Sequence, residues 1–297
     1  MTSLVTLNNS NINDLVTMDE SILKSFGSGI YVEVGEEMYL EDLLYGLMLR
    51  SGNDAAIAIA NYVGGSMDGF VELMNQNAKN IGMKKTKFIN SSGLENDKGE
   101  GNMSTSYDMA LLMSEAMKNE TFKKIVSTKK RVVKTNYKTY LWYNKNKLLN
   151  NYEYCTGGKT GFTEKARRTL VTTATKDNMN LVVVTLNDPN DFSDHKELYN
   201  KYFNMYKSYK VIDKKNEELE SNNYYIKNDR FLTLLNDEYK KIKKEIIYYN
   251  SNVSDIVGYI SITLNDEVLI KEYIYKKNIE NKVNKKSFFE KLFEFFS

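Results

Sequence analysis

Three neighbouring stretches in the middle of the chain constrain its fold more than anything else. Leu170-Val171-Thr172-Thr173-Ala174-Thr175 is a β-branched run that stops at the turn signal Lys176-Asp177-Asn178. Leu181-Val182-Val183-Val184-Thr185-Leu186 then follows as a run of buried-strand length. Ahead of both lies Tyr154-Cys155-Thr156-Gly157-Gly158-Lys159-Thr160-Gly161-Phe162. Together they predict an antiparallel group of strands whose first member carries Lys159-Thr160-Gly161. A glycine on a strand lets another backbone lie close, and the neighbouring ammonium supplies a positive charge. Such an edge suits an extended peptide that ends in a carboxylate. A tripeptide recurs by chance, so the reading needs a second element.

That element lies about a hundred residues earlier. Glu41-Asp42-Leu43-Leu44-Tyr45-Gly46-Leu47-Met48-Leu49 is helix-like and runs into Arg50-Ser51-Gly52-Asn53-Asp54. A second, alanine-rich helix starts at Ala55 and closes at Gly64-Gly65. Ser51 and Asn53 therefore present a hydroxyl and a carboxamide between two helices. The simpler reading makes Asn53 or Asp54 an N-cap. Paired with Lys159-Thr160-Gly161, Ser51-Gly52-Asn53 matches the second and third elements of a serine acyl-transferase site.

On these residues the chain resembles the low-molecular-weight penicillin-binding proteins, serine-type D-alanyl-D-alanine carboxypeptidases. The resemblance extends through Gly29-Ile30-Tyr31-Val32-Glu33-Val34-Gly35-Glu36, Phe88-Ile89-Asn90-Ser91-Ser92-Gly93-Leu94, Ser106-Tyr107-Asp108-Met109-Ala110-Leu111-Leu112 and Asp255-Ile256-Val257-Gly258. It implies an α+β fold. A β-lactamase/transpeptidase-like domain would span 1–208, a small β-rich domain 209–278 and an amphipathic helix 279–297. It also implies cleavage of a stem peptide ending in D-Ala-D-Ala through an acyl-enzyme, inhibition by β-lactams, and a place on the outer face of the cytoplasmic membrane. Ser51 and Lys159 would relay a proton, and Asn53 would position the substrate amide. Lys159 and Thr160 would take the terminal carboxylate. Gly161 completes that strand, and the backbone N–H of Phe162 would belong to the oxyanion hole. Arg167 or Arg168 would help with the carboxylate, although the family often places its arginine further on, where this chain reads Asp188-Pro189-Asn190-Asp191. No cofactor or metal is implied.

The beginning of the chain departs from that pattern. Met1-Thr2-Ser3-Leu4-Val5-Thr6-Leu7 has no charged segment followed by an apolar one, so it is no signal peptide, and it reads like the middle of a helix. By the resemblance, the sequence starts just after the catalytic lysine of Ser-x-x-Lys. Nucleophile and base are then missing, and the chain as written is expected to be inactive. Ser21-Ile22-Leu23-Lys24 and Ser127-Thr128-Lys129-Lys130 share the spacing, but the first is polar and the second lies in a basic run. The alternatives are a non-catalytic wall-binding module and a β-lactamase. The latter is disfavoured by Ser-Gly-Asn in place of Ser-Asp-Asn and by the lack of a Glu-x-x-Leu-Asn motif.

Composition closes off other classes. With 41 basic and 39 acidic residues, nothing points to nucleic acid. One cysteine allows no internal disulfide, and one histidine argues against a His-based triad or a zinc site. No stretch reaches the ~18 apolar residues of a membrane span. Residues 66–120 read as helices, with Met67, Phe70, Val71, Met74 and Ala78 on one buried face. Asn90–Asn102 is a polar loop placed to rim the cleft. Thr121–Tyr143 reads as strands or extended chain, with Trp142 as packing. At the end, Lys282, Lys285 and Lys286 precede Phe288, Phe289, Leu292, Phe293, Phe295 and Phe296, which share one arc of a helical wheel. That pattern fits a helix lying in a membrane surface better than one packed on the β-rich domain. Deleting residues 285–297 is expected to release the protein from anionic vesicles without changing its melting temperature. Equal vesicle binding by the intact and shortened forms would contradict the anchor.

Overall fold

The computed structural model describes residues 1–250 and 255–277. The segment 279–297, expected as an amphipathic anchor, lies outside the described residues. The chain divides into a unit over Met1–Met205 and a second from Tyr206 onward. Both helix and sheet contribute, as the sequence predicts for an α+β fold.

The first helix, α1 (Thr2–Asn9), has Thr2, Ser3, Leu4, Val5 and Thr6 all buried, so it runs through the unit rather than over it. Strand β1 (Leu15–Thr17) pairs antiparallel with β2 (Glu37–Tyr39), and Val16 and Met38, opposite one another, point into the core. Helix α2 (Leu40–Tyr45) follows at once, and the helix-like sequence then widens into a π-helical turn at Gly46–Arg50. In α3 (Asn53–Gly64), Ala55, Ala56, Ala58 and Ala60 are buried, which lets neighbouring elements approach closely. It ends at Gly65, with φ at +68°. Helix α4 (Met67–Ile81) is capped by Ser66 and buries Phe70, Met74 and Ala78 on one face.

Helix α5 (Ser106–Ala116) is capped by Thr105, whose hydroxyl accepts from the N–H of Asp108. The next element departs from the sequence reading: Glu120–Ser127 is a helix, α6. Asn119 caps it, and Phe122, Ile125 and Val126 fall on one buried face. The three- and four-residue spacing of those apolar positions outweighs the β-branching of Ile125 and Val126, because tertiary burial decides between the two. Strands begin only at β3 (Lys130–Lys134) and β4 (Thr139–Tyr143), a hairpin that buries Trp142. A short helix, α7 (Leu148–Asn151), leads into β5 (Cys155–Thr163).

Strands β5, β6 (Arg167–Lys176) and β7 (Met179–Leu186) form an antiparallel sheet in that order. Asp177 and Asn178 have φ of +50° and +63°, the two left-handed residues of a tight hairpin turn. Helix α8 (Asp191–Met205) packs on one face of the sheet, and α5 packs on the other. Behind the sheet, Thr172 bonds to His195 Nδ1 at 2.7 Å and to the Tyr199 hydroxyl at 2.8 Å. His195 Nε2 lies 3.2 Å from the hydroxyl of Thr185. These contacts satisfy the buried polar groups between sheet and helix.

The second unit is mostly strand. Its described elements are β8 (Tyr206–Ile212), α9 (Glu217–Ser221), β9 (Tyr224–Tyr225), β10 (Arg230–Leu235), α10 (Asn236–Tyr239), β11 (Lys243–Tyr248), β12 (Ile256–Leu264) and β13 (Glu267–Lys276). β10 pairs with β8, while the other strands form a sheet in the order β11-β12-β13-β9. Ile212, Leu219, Ile260, Ile262 and Ile274 make its core. Among the described residues, no helix is long and apolar enough to cross a membrane.

Burial holds His195 down to about 4, from an ordinary value of 6.5, while Asp191 and Asp188 pull weakly the other way. The folded protein therefore keeps the ring neutral where the unfolded chain takes up a proton. Its stabilising contribution is complete above pH 6.5 and is lost as pH falls toward 4. The loss is on the order of 3 kcal/mol, at 1.36 kcal/mol per unit. Urea melts at pH 7 and pH 4.5 should show it, and His195→Gln should flatten the difference. An unchanged pH dependence in that variant would exclude His195 as the cause.

Candidate active site

Strand β5 reaches the helical region because two of its residues lack side chains. A Cβ on Gly157 would stand 2.4 Å from Val126 of α6, and one on Gly158 would stand 2.4 Å from the carbonyl oxygen of Val171. Both adopt φ near +150°, which side-chain-bearing residues rarely tolerate. The next residue, Lys159, sits opposite Val171 and turns its ammonium toward the helices. Lys159 Nζ donates to Ser51 Oγ in a very short contact and to the Thr160 carbonyl at 2.6 Å. Thr160 and Gly161 continue the strand opposite Leu170 and Thr169. Phe162 is exposed at the strand's outer end.

Ser51 is presented by strained backbone. It closes the π-helical turn with φ 60° and ψ 44°, left-handed for a residue with a side chain. The simple N-cap reading of Asn53 and Asp54 does not hold. The cap position of α3 is Gly52, with no side-chain cap bond. Both side chains instead reach back to residues 26–32. Asn53 Nδ2 donates to the Phe26 carbonyl at 2.6 Å, and its backbone N–H donates to the Ser28 carbonyl at 2.8 Å. The buried Asp54 carboxylate accepts from the N–H groups of Ile30 (3.0 Å), Tyr31 (2.6 Å) and Val32 (3.4 Å). With the Ala55 N–H at 2.9 Å, four amides on one carboxylate offset the cost of burying it. Tyr31, left-handed at φ 62°, is held in that conformation by the same contact.

The family model described as D-alanyl-D-alanine carboxypeptidase matches residues 1–190. The chain belongs to this family. The carboxypeptidase DacF of Bacillus subtilis is 37% identical over 174 residues, 58% of this chain and 44% of its own length. The chain thus spans less than half of that relative. Among solved structures, the Streptomyces K15 DD-transpeptidase aligns with a TM-score of 0.63 at 33% identity, over 67% of this chain and 84% of its own. The carboxypeptidase DacD of Francisella tularensis aligns at 0.68 over 93% of this chain and 84% of its own; at 23% identity it speaks for the fold alone.

The electrostatics at Lys159 are the central feature of the site. Burial, joined by the charge of Lys145, lowers its ammonium to about 7. A lysine that titrates near neutrality can hold a carboxylate as ammonium and accept a proton as amine. The other serines with Ser-x-x-Lys spacing are built differently. Ser21 Oγ accepts from Asn61 within a 3₁₀ turn whose Lys24 is exposed. Ser127 Oγ, exposed at the end of α6, donates to the Lys124 carbonyl. Neither faces a lysine drawn out of solvent as Lys159 is.

The arginines divide. Arg168 is committed to Asp191 at 2.6 Å and lies over the Phe192 ring, while Arg167 is exposed with φ 57°. Cys155 is half-buried beside the Gly157 carbonyl, and burial raises its thiol above the ordinary range. At the end of β5, Thr163 donates to Glu95 at 2.7 Å and Lys165 to the Gly99 carbonyl at 3.1 Å, so the 90–102 loop is clasped to the sheet. Sequence reasoning missed one contact: Lys145 Nζ donates to Ser28 Oγ at 3.1 Å. Neither residue stands in a motif, and they are far apart in the chain.

Ser51 trades backbone strain against its hydroxyl. The left-handed conformation costs about 1–2 kcal/mol for an L-residue, and glycine gives back roughly 0.5–1 kcal/mol through unfolded-chain entropy. Ser51→Gly is therefore expected to melt at or slightly above the wild-type temperature. Ser51→Val, branched at Cβ, should lose about 2 kcal/mol. Thermal melts of the two variants check the order, and a destabilised Ser51→Gly would contradict it.

Proposed function

We propose that this site binds and cleaves peptidoglycan stem peptides ending in D-Ala-D-Ala, releasing the last D-alanine by acyl transfer. The observation that carries the reading is the approach of Lys159 Nζ to Ser51 Oγ, a half-buried lysine from the sheet set against a hydroxyl from the helical region. The peptide lies extended along β5. Its terminal carboxylate is taken by Lys159 as ammonium and by the Thr160 hydroxyl. Asn53 orients the substrate amide, and the Phe162 N–H polarises the scissile carbonyl.

The reaction follows from those placements. A serine oxygen adds to the penultimate D-alanine carbonyl and gives its proton to a neighbouring base. The tetrahedral intermediate collapses, the C–N bond breaks, and the leaving amine receives a proton through Ser51 and Lys159. Water then adds to the ester, and the serine is regenerated. β-Lactams enter the same route and stop at the ester. The attacking serine belongs to a Ser-x-x-Lys element, and neither Ser21 nor Ser127 is placed for that role. A polypeptide confined to residues 1–297 is accordingly inactive. The intact enzyme works on the outer face of the cytoplasmic membrane.

Fluorescent penicillin tests this directly. The 297-residue chain should give no covalent band on a denaturing gel, while a form extended upstream to include Ser-x-x-Lys should label. In that extended form, Lys159→Ala should slow labelling about a hundredfold or more and leave the melting temperature within a few degrees. Unchanged labelling by Lys159→Ala would remove that lysine from the mechanism. Stoichiometric labelling of the 297-residue chain would overturn the assignment of the nucleophile.

A further inference from the structure

Three cations meet at this cleft without an acidic partner. Lys159 contacts Ser51, Arg50 directly precedes that serine, and the Lys145 backbone N–H donates to the Leu49 carbonyl beside them; the charge of Lys145 weighs on the Lys159 ammonium, and that of Arg50 on Lys145. Among the described residues, none of the three takes part in an ion pair. Charge is matched elsewhere in the same unit, where Arg131 takes Asp42, Arg168 takes Asp191 and Lys138 takes Glu33. Mutual repulsion in a partly desolvated cleft is a standing cost, and an incoming anion relieves it.

Lys145 is held in place rather than loose. Its backbone N–H donates to the Leu49 carbonyl at 3.1 Å, just before Arg50 and Ser51. Its neighbour Asn144 anchors to the Thr128 carbonyl at 3.0 Å and accepts from the Asn146 N–H at 2.9 Å. At the other end, Nζ meets Ser28 Oγ, and the Ser28 carbonyl in turn accepts from the N–H of Asn53. The ammonium thus stands over the segment that Asn53 fastens. It has three donors, and Ser28 is its one hydrogen-bond partner among the described residues.

We infer that Lys145, with Ser28 orienting it, forms a subsite for a second carboxylate of the substrate, carried by the residue that precedes the D-Ala-D-Ala pair. The inference rests on the reading of the site as a carboxypeptidase cleft. Once the terminal carboxylate is on Lys159 and Thr160, two of the three positive charges remain uncompensated. A single carboxylate fits the point charge of a lysine, and an extended peptide delivers it from the same ligand. Lys145 is then a specificity-determining residue. It distinguishes stem peptides with a free carboxylate at that position from those whose carboxylate is an amide.

The test uses the 297-residue chain and two peptides, acetyl-Glu-D-Ala-D-Ala and acetyl-Gln-D-Ala-D-Ala, titrated calorimetrically at low ionic strength. The Glu peptide should bind about fivefold more tightly, the upper range for a partly solvated ion pair. Lys145→Gln should bring the ratio to one, and Lys145→Arg should restore the preference. Equal affinity of the two peptides for the wild-type chain would overturn the subsite alone. Equal weakening of both by Lys145→Gln would also overturn it, placing Lys145 on the terminal carboxylate instead. Failure of both peptides to bind the wild-type chain would overturn the carboxypeptidase reading along with it. Should Lys145→Gln melt early, the wild-type ratio and Lys145→Arg decide the matter.

Discussion

The close passage of β5 between α6 and β6 sets the geometry on which the rest of the site depends. Gly157 packs on Val126 and Gly158 on the backbone of Val171, and neither position has room for a Cβ. Because the strand can lie that deep, the residue that follows carries its ammonium out of bulk water and against Ser51. Desolvation then does the chemical work, lowering Lys159 to about 7, where both of its protonation states are accessible. A side chain at either glycine would lift the strand and leave an ordinary solvated lysine.

The opposite wall is organised by a buried carboxylate. Asp54 gathers the amides of residues 30–32, and Asn53 fastens residues 26 and 28, so one end of α3 dictates the path of a whole segment. That segment is pinned from its far side as well. Glu36, fully buried, accepts from the hydroxyls of Thr135 (2.6 Å) and Tyr140 (2.9 Å), and Lys138 donates to the Tyr31 carbonyl at 2.9 Å. Burial together with Glu36 keeps the Tyr140 phenol protonated far above its usual range. The left-handed residues Tyr31 and Ser51 persist because this network over-determines them.

Behind the sheet the same logic runs without function. Thr172 lies opposite Gly158 in the ladder and turns its hydroxyl to His195 and Tyr199. The one histidine of the chain is thus a satisfied buried polar group, fixing α8 against the strands. The second unit has its own apolar centre and an internal ion pair between Arg230 and the buried Glu272. Each unit can therefore be understood from its own burial.

Much of this was legible in the chain alone. Apolar spacing marked α4, alanine content and closing glycines marked α3, β-branched and apolar runs marked β6 and β7, and the turn at Asp177-Asn178 followed from residues that tolerate positive φ. Ser51-Gly52-Asn53 and Lys159-Thr160-Gly161 could be paired as motifs because local sequence suffices to put one on a loop and the other on a strand. Residues 120–127 could not be settled that way. A stretch of Phe, Ile and Val suits either period, and only the surface it packs on selects the helix. Contacts between remote residues escape for a related reason: the pattern of a segment records which face is buried, not what lies across from it. The short contact between Ser51 and Lys159, the retreat of Arg168 to Asp191 and the meeting of Ser28 with Lys145 were all decided by tertiary structure. Burial depth follows the same rule, and it alone turns an ordinary lysine into one poised near neutrality.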